Sequence, residues 1–196
     1  MTEIEQHALQ LLERLTKAGF ETRFVGGAVR DKLLGISFSD VDLATTATPD
    51  MVTQLLTEAG VKVVPTGIAH GTVTAVVAGK GFEITTLRRD VETDGRHAVV
   101  AFTDDWQMDA ARRDFTMNAM SRDAAGKIYD YFGGEEDAIA GRIKFVGDAS
   151  ARIAEDALRL LRFFRFYAWY GIAEPDSATL RALAFAAPTL KNLSRE

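Results

Sequence analysis

The chain of 196 residues contains no cysteine, which excludes a disulfide framework and any metal site built on thiolates. Its three histidines, His7, His70 and His97, lie far apart and show no zinc-type spacing. Any metal ion must therefore be held by oxygen atoms or by these separated imidazoles.

The sequence also lacks long apolar runs. Its longest, such as VTAVVAG at 73–79, fall far short of the roughly 20 residues that cross a bilayer. The first residues, MTEIEQHALQ, are too polar and acidic for a signal peptide. With 47% apolar residues, the composition predicts a globular, cytoplasmic protein of one domain, or of one domain and part of a second, with no membrane partner.

Basic residues are fewer than acidic ones, 23 against 28, which gives a net charge of −5. It is unevenly spread: residues 1–140 hold 14 basic and 22 acidic side chains, and residues 141–196 hold 9 and 6. The acidic total argues against non-specific nucleic-acid binding, whereas the basic last third permits a local contact with phosphates. A difference of this size also occurs by chance in ordinary proteins.

Helices and strands alternate in the first 60 residues. Apolar side chains at Ile4, Ala8, Leu11, Leu12 and Leu15 share one face of a predicted helix over 3–18, which Gly19 ends. The pattern then predicts a strand in TRFVGG, a helix in AVRDKLLG closed by Gly35, a strand in SDVDLATT and a helix over 48–60.

Three β-rich segments follow and extend the predicted sheet: VKVVP, GTVTAVVAG and FEITTLR, with a hairpin turn at GKG, 79–81. Residues 88–106 are charged and irregular, which predicts a mobile loop of 15 to 19 residues. A helical segment over 108–120, a short strand near KIYDYFGG and an all-helical region from about Ser150 complete the pattern.

Two carboxylates stand at alternate positions of the predicted strand SDVDLATT. Asp40 and Asp42 would share one face, about 6 to 7 Å apart, close enough to hold one or two Mg²⁺ ions. Such a pair is typical of two-metal phosphoryl and nucleotidyl transfer. The alternative is a solvated edge of a strand.

Groups suited to an anion precede this pair. Gly26 and Gly27 let the backbone approach a triphosphate, the following helix points its positive end the same way, and Arg30 adds a charged fork. A Gly pair before a helix is alternatively a plain turn. The order of both features within seventeen residues favours a nucleotide site.

Two further groups are candidates with open alternatives. Glu83 is a third carboxylate of the same sheet or an exposed charge. Arg112, Arg113, Asp114 and Asn118 fall within about one and a half helical turns. They would bind a ribose and a phosphate, or would form salt bridges on a helix surface.

The predicted helix ARIAEDALRLLRFFRFYAWYG carries Asp156, Arg159, Arg162 and Arg165 at intervals of three. The apolar side chains opposite them are Leu160, Leu161, Phe164, Tyr167 and Ala168. An aspartate that accepts from an exocyclic amine, beside an arginine that donates to a ring nitrogen, fits cytosine and adenine but mispairs with guanine and uracil. A solvated basic face is the alternative.

Taken in order, FVGGAVRD, SDVDLAT, FEITTLRRD, DGRH, RRDFTMNAM, DYFGGEEDA and EDALRLLRFFRF resemble the class II tRNA nucleotidyltransferase and bacterial poly(A) polymerase family. The resemblance runs over nearly the whole chain. It implies an α+β fold: a polymerase-β-type nucleotidyltransferase head at 1–140, with a mixed sheet flanked by helices, and an all-α neck at 141–196.

The resemblance also implies an activity, namely addition of CMP and AMP from CTP and ATP to the 3′ end of tRNA, with Mg²⁺ and release of pyrophosphate. It implies that the metal ligands are Asp40 and Asp42, that the triphosphate is held at Gly27 and Arg30, that the nucleotide and ribose are contacted by Arg113 and Asp114, that the base is selected by Asp156 and Arg159, and that further nucleotide or phosphate contacts come from Arg162 and Arg165. Residues 88–106 correspond to a flexible loop that helps the change from C to A addition.

Family members usually continue into further helical regions that grip tRNA, so we expect this chain to be truncated within the neck and to bind tRNA poorly. A poly(A) polymerase, or an enzyme adding only CC or only A, would use the same residues. A non-catalytic nucleotide- or RNA-binding fragment is a different alternative. No protein partner is predicted.

Overall fold

The computed structural model describes the backbone of residues 1–94 and 97–192, and the side chains of these residues except 90–94, 97–99 and 192. The helices are α1 (Glu3–Lys17), α2 (Gly27–Leu33), α3 (Pro49–Glu58), α4 (Trp106–Ala111), α5 (Gly134–Ile139), α6 (Ala149–Glu155), α7 (Leu158–Tyr170) and α8 (Ser177–Ala186). The strands are β1 (Thr22–Val25), β2 (Asp42–Thr45), β3 (Lys62–Gly67), β4 (Thr72–Val77), β5 (Lys80–Thr86), β6 (Arg88–Asp94), β7 (His97–Phe102), β8 (Ser121–Arg122) and β9 (Ile128–Tyr129). Short 3₁₀ turns lie at Ile68–His70, Thr116–Asn118 and Ala187–Asn192.

A mixed sheet of seven strands organises the first two thirds of the chain, in the order β3-β4-β5-β2-β1-β8-β9. Strands β2 and β5 are parallel, and the other neighbouring pairs are antiparallel. The parallel pair requires a crossover connection, which α3 provides together with β3 and β4. The predicted mixed sheet flanked by helices, followed by a helical region, is confirmed.

The two faces of the sheet bury different side chains because residues alternate along each strand. Phe24, Leu43 and Ile84 belong to the main core, which also contains the apolar faces of α1 and α3. Val25 and Ala44, one position further along, belong to a small cluster on the opposite face. That opposite face is the one available for polar chemistry.

Helix α1 forms as predicted. Thr2 and Glu5 make a reciprocal capping box at its start, and Gly19 follows its end with a φ of 95°. Ala8, Leu11, Leu12 and Leu15 are buried in the core. Helix α3 likewise begins after the predicted cap, with Thr48 accepting from the amide of Met51.

The prediction of an irregular loop at 88–106 is wrong over most of its length. Strands β6 and β7 pair as an antiparallel hairpin with an irregularity between 90 and 92, and α4 begins at Trp106. Residues 95 and 96 of the predicted loop lie outside the described residues. The sequence VETD and HAVVAF supplies enough β-forming residues on both sides for pairing, despite its charge.

The predicted turn at 79–81 is displaced by one residue. Val77 pairs with Lys80, so Ala78 and Gly79 form the two-residue turn, with φ angles of 50° and 76°. Two positive φ angles match a type I′ hairpin, whose twist fits the flanking strands.

The helix predicted over 108–120 is shorter. Helix α4 ends at Ala111, and Phe115 is extended, with φ −118° and ψ 147°. The Asp114 carboxylate accepts from the Phe115 amide at 2.8 Å, a local bond that competes with helix formation. The four polar residues from 112 to 118 therefore do not share one helix.

The helix predicted over 151–171 is broken at Asp156. This residue has φ −152° and ψ 108°, and its carboxylate accepts from the Leu158 amide at 2.9 Å, which satisfies a free donor at the start of α7. The predicted apolar arc is also wrong, because Leu161 and Phe164 are 48% and 54% exposed and Phe163 is buried.

Phe163 sets the register of α7. Its ring stacks on Phe145 at 5.8 Å and on Tyr167 at 6.0 Å, and it meets Phe115 edge-on at 6.3 Å. One core cluster therefore contains residues from both sides of the predicted boundary at 140/141. The division into head and neck stays a prediction.

Among the described residues, no helix has both the length and the apolar character that a bilayer span demands.

We predict that Phe163→Ala lowers the free energy of unfolding by about 3 to 5 kcal/mol, because it removes a buried ring and leaves a cavity. Phe164→Ala is the matched control on the same helix: its ring is 54% exposed, so its loss should cost far less. Urea denaturation of both variants measures the difference, and equal destabilisation would contradict the assigned register of α7.

Candidate active site

A cleft of about 670 Å³ lies on the polar face of the sheet, between the strand ends, the segment after α4 and the start of α7. It contains all predicted site residues but two: Gly26, Gly27, Arg30, Asp42, Glu83, Arg113, Asp114, Asn118, Asp156, Arg159 and Arg162. Arg88, Arg112 and Phe166 are among its other residues. We call it the first cleft.

The remaining two predicted residues, Asp40 and Arg165, lie in a neighbouring second cleft of about 640 Å³. The two clefts share Gly27, Arg30 and Asp42. Arg165 therefore does not line the first cleft with Arg159, although it shares a smaller pocket of about 140 Å³ with Arg162.

Strand register brings the carboxylates together. Leu43 pairs with Ile84 in the parallel β2–β5 ladder, so Asp42 and Glu83, each one residue earlier, are neighbours on the polar face. Asp40 precedes the strand instead of lying within it. Val41 is buried in the core, whereas Asp40 and Asp42 on either side of it are exposed. That the two carboxylates face one direction stays a prediction, since Asp42 lines both clefts and Asp40 only the second.

The pKa of Asp42 is raised above its ordinary value of 3.8. Partial removal from water is the main cause, and the negative charges of Glu83 and Asp40 add to it, whereas the Arg113 charge acts in the opposite direction. A cation among these carboxylates would relieve the repulsion.

The described residues contain no set of three or more His, Cys, Asp or Glu side chains arranged to hold a metal ion. The Asp40–Asp42 pair nonetheless fits Mg²⁺, which typically takes one or two carboxylates and completes its octahedron with water and substrate phosphate oxygens.

Glycine is required at the turn before α2. Gly26 has a φ of 67°, and a Cβ there would lie 3.2 Å from the Nη1 atom of Arg113. The amides of Val29 and Arg30 donate to the Gly26 carbonyl, which leaves those of Gly27 and Ala28 as the candidate phosphate donors.

Arg30 is more occupied by protein than the sequence suggested. Its buried guanidinium donates to both carboxylate oxygens of Asp31, to Asn118 Oδ1 at 2.6 Å and to the Tyr170 hydroxyl at 2.8 Å. Four of its five N–H donors are used. Arg30 therefore fixes α2 to the 116–118 turn and to the end of α7, and has little left for a phosphate.

Asp109, which the sequence analysis missed, orients two arginines of the first cleft. It is 3% exposed and accepts from Arg112 Nε at 2.9 Å and from Arg113 Nη2 at 3.3 Å. Burial favours its protonated form, but the charges of Arg113 and Arg112 prevail and hold the pKa of Asp109 below its usual range. Arg112 and Arg113 are thus held at the cleft wall.

Asp114 joins the same wall to α7. One of its oxygens accepts from the Asn118 side chain at 3.1 Å, and the other accepts from Arg162 Nε at 2.6 Å. The salt bridge that the sequence left open as an alternative is present, though between separate elements. Arg162 remains 46% exposed and borders the cleft.

Asp156 and Arg159 both line the first cleft, but they are not paired with each other as a simple helix would place them. Arg159 donates to Glu155 at 2.6 Å and to the carbonyls of Arg152 and Arg112. These three bonds hold its guanidinium rigidly. Asp156 uses one oxygen to cap α7, which leaves its other oxygen toward the cleft.

Four residues of this network escaped the sequence analysis: Asp31, Asp109, Glu155 and Tyr170. Asp31 and Glu155 stand beside motif arginines, and an acid next to a buried arginine is an available signal. Tyr170 lies 140 residues from Arg30 and carried no such signal.

Comparisons with known proteins identify the family of the chain. Residues 22–144 match the family described as Poly A polymerase head domain. The chain is 50% identical over 190 residues to the protein named CCA tRNA nucleotidyltransferase 1, mitochondrial, of Danio rerio. This match covers 95% of the chain and 44% of that protein. The chain is 44% identical over 199 residues to the CCA-adding enzyme of Geobacillus sp. (strain WCH70), covering 100% of this chain and 48% of that protein.

Among solved structures, the Bacillus stearothermophilus CCA-adding enzyme in complex with CTP superposes with a TM-score of 0.87 at 39% identity. The match covers 99% of this chain and 46% of that one. The chain therefore spans less than half the length of these relatives.

We predict that Asp42→Asn stabilises the fold at pH 7. Because the folded chain raises the pKa of Asp42, the folded state binds its proton more tightly than the unfolded state, and stability falls as pH rises above 3.8. The amide removes this cost. Urea midpoints should be higher than for the wild-type chain at pH 7, and the gain should vanish as pH falls below 3.8.

Asp104→Asn is the control, since it removes one negative charge from an exposed position outside both clefts. An equal gain in both variants would show that net charge is responsible, and not the partial burial of Asp42 beside Glu83.

Proposed function

The chain belongs to the poly(A) polymerase head domain family, as its motifs predicted, and we propose that it is the catalytic head and part of the neck of an enzyme that adds CMP and AMP to the 3′ end of tRNA. The donors are CTP and ATP, and pyrophosphate is released. The names of its relatives from Danio rerio and Geobacillus support this assignment.

One observation carries the proposal: a single cleft unites Asp42 and Glu83 with the pair Asp156 and Arg159. Carboxylates that serve nucleotidyl transfer and a pair that reads a base edge thus face the same 670 Å³. A nucleoside triphosphate suits this cleft, because its α-phosphate would lie at the carboxylates and its base at the pair Asp156 and Arg159.

Charge in the first cleft suits such a ligand. Six arginines line it, at 30, 88, 112, 113, 159 and 162, against four carboxylates at 42, 83, 114 and 156. The arginines away from the sheet, held by Asp109, Asp114 and Glu155, present a positive wall to phosphates. Arg30 acts in this proposal by holding that wall in place.

Mg²⁺ is the proposed cofactor, with Asp40 and Asp42 as its protein ligands. When bound, it would neutralise charge on the α-phosphate and on the attacking oxygen. The carboxylate oxygens are the hard donors that this ion prefers.

In the proposed reaction, the 3′-oxygen of the RNA forms a bond to the α-phosphorus of the nucleotide. The bond from that phosphorus to the bridging oxygen breaks, and its electron pair leaves with pyrophosphate. The hydroxyl proton passes to a carboxylate among Asp40, Asp42 and Glu83, and then to water.

Base selection follows from hydrogen-bond chemistry. The free oxygen of Asp156 accepts from the amine of cytosine or adenine, and Arg159 donates to the adjacent ring nitrogen. Guanine and uracil present a carbonyl and an N–H there, which leaves both protein groups mispaired. The three bonds that fix Arg159 keep this template rigid.

The same residues would serve poly(A) addition or addition of only CC or only A, and product analysis separates these activities.

We propose a cytoplasmic location for the protein, on the model of its Geobacillus relative, although the Danio rerio relative is named mitochondrial.

We predict that ATP and CTP bind roughly 5- to 150-fold more tightly than GTP and UTP, since mispairing at Asp156 and Arg159 costs about 1 to 3 kcal/mol. Arg159→Ala should erase this preference. Isothermal titration with Mg²⁺ measures it, and Arg181→Ala on α8 is the control, because Arg181 lies outside both clefts. Equal affinities for the four triphosphates in the wild-type chain would refute the base-reading role.

Incorporation on tRNA lacking its terminal CCA tests the activity itself. Asp42→Ala should lower the rate at least about a thousandfold, since several kcal/mol of charge stabilisation depend on the carboxylate pair. Unchanged turnover in this variant would remove Asp42 from the mechanism, and a non-catalytic binding fragment would show nucleotide binding with no incorporation.

A further inference from the structure

The second cleft differs from the first in its chemistry. It shares Asp42 with the first cleft and contains Asp40, whereas the proposed base-reading pair Asp156 and Arg159 lines only the first cleft. Its outer wall is formed by Arg165 and Trp169 on α7. It borders the reacting carboxylates, yet it does not line up with the residues that select the incoming base.

Trp169 is unusually open for a large aromatic residue. It is 69% exposed, and its ring lies 5.4 Å from the Arg165 guanidinium carbon. An exposed tryptophan leaves the apolar face of its ring in contact with water, and such a face commonly serves as a platform on which a nucleobase stacks.

Arg165 is the available cation beside this ring. Arg159 and Arg162 are each paired with a carboxylate, whereas Arg165 forms no ion pair with any residue that the structure describes. A guanidinium without a protein counterion at the rim of a cleft is suited to a phosphodiester.

The reaction itself requires a second ligand at this place. The attacking 3′-hydroxyl must approach the α-phosphorus opposite the leaving pyrophosphate, and it must meet the same carboxylates from outside the volume that the nucleotide fills. Asp42 belongs to both clefts, and Asp40 belongs to the second. A hydroxyl in the second cleft would lie at this pair.

We propose that the second cleft binds the terminal nucleotide of the acceptor RNA, with its base stacked on Trp169 and its phosphodiester at Arg165. This inference rests on the proposed function, and it moves Arg165 from the incoming nucleotide to the acceptor strand. The site recognises an unpaired RNA end through stacking and charge, without reading its sequence.

Intrinsic fluorescence gives a direct test, because the chain has two tryptophans and Trp106 is only 7% exposed. A short single-stranded RNA with a free 3′-hydroxyl should quench the emission of the wild-type chain, and Trp169→Phe should abolish this quenching. ATP alone should not quench it. Quenching that persists in Trp169→Phe would overturn the proposal.

Affinity gives the second test, with the same RNA carrying a 5′ fluorophore and its Kd measured by anisotropy. Trp169→Ala should raise the Kd about tenfold, and Trp169→Phe should retain the wild-type value because phenylalanine still stacks. Phe164→Ala is the matched control: this exposed aromatic of the same helix lines neither cleft. Equal Kd values for Trp169→Ala and Phe164→Ala would overturn the proposal.

Arg165→Gln should reduce the slope of log Kd against log salt by about 0.7, the value for one phosphate contact on a single strand. An unchanged slope would exclude the phosphate contact.

Titration of ATP and CTP separates this proposal from the proposed function. Unchanged nucleotide affinity in Trp169→Ala, together with weakened RNA binding, supports the acceptor site. If the wild-type chain binds RNA through Trp169 but binds no nucleotide, the proposed function fails and the RNA site stands. If nucleotides bind selectively but Trp169→Ala leaves the Kd for RNA unchanged, the acceptor site fails and the proposed function stands. That outcome is expected if the surface around Trp169 contacts a protein partner instead of RNA.

Discussion

Neutralisation of the buried Arg30 guanidinium is the constraint on which both clefts depend. A cation at this depth is tolerated only with full pairing, and its partners come from three elements: Asp31 on α2, Asn118 in the 116–118 turn and Tyr170 at the end of α7. The arginine therefore forms the common wall of the two clefts and fixes α7 against the Gly26–Gly27 turn. Where Asp156 and Arg159 lie relative to Asp42 and Glu83 depends on this one junction.

Around that junction, charges of opposite sign are segregated. Partial removal from water, together with the charges of Glu83 and Asp40, raises the pKa of Asp42 at the start of β2. The arginines across the cleft are each held by a buried or half-buried acid. The first arrangement costs stability and the second provides it. Such a division fits the proposed function, in which the polar face of the sheet receives a cation and the opposite wall receives phosphates.

Much of the fold could be predicted from the sequence, because caps, glycines and β-branched runs act locally: α1, α3 and strands β1 to β5 lie where their patterns place them, whereas the two-residue strand β8 was not predicted. The failures share a cause. At Asp114 and Asp156 a short acidic side chain bonds to a nearby amide and interrupts a helix that periodicity extends, and the 3.6-residue pattern does not register that competition. Site residues named by motif converge on two clefts, but their partners Asp109 and Tyr170 come from tertiary packing. Likewise, the exposed side of α7 was set by the stack at Phe163, which involves Phe115 and Phe145 far away in sequence.

That aromatic stack limits how members of this family could be recombined. A chimera joined at residue 140 would set a foreign α7 on the native Phe115, and it would bring a new counterpart for Phe145 as well. Since interiors are packed at crystal-like density, even a single mismatched ring would shift the helix and, with it, Asp156 and Arg159. An exchange of specificity between relatives must therefore include the core-facing side chains of α7, or it must be confined to side chains that face the cleft.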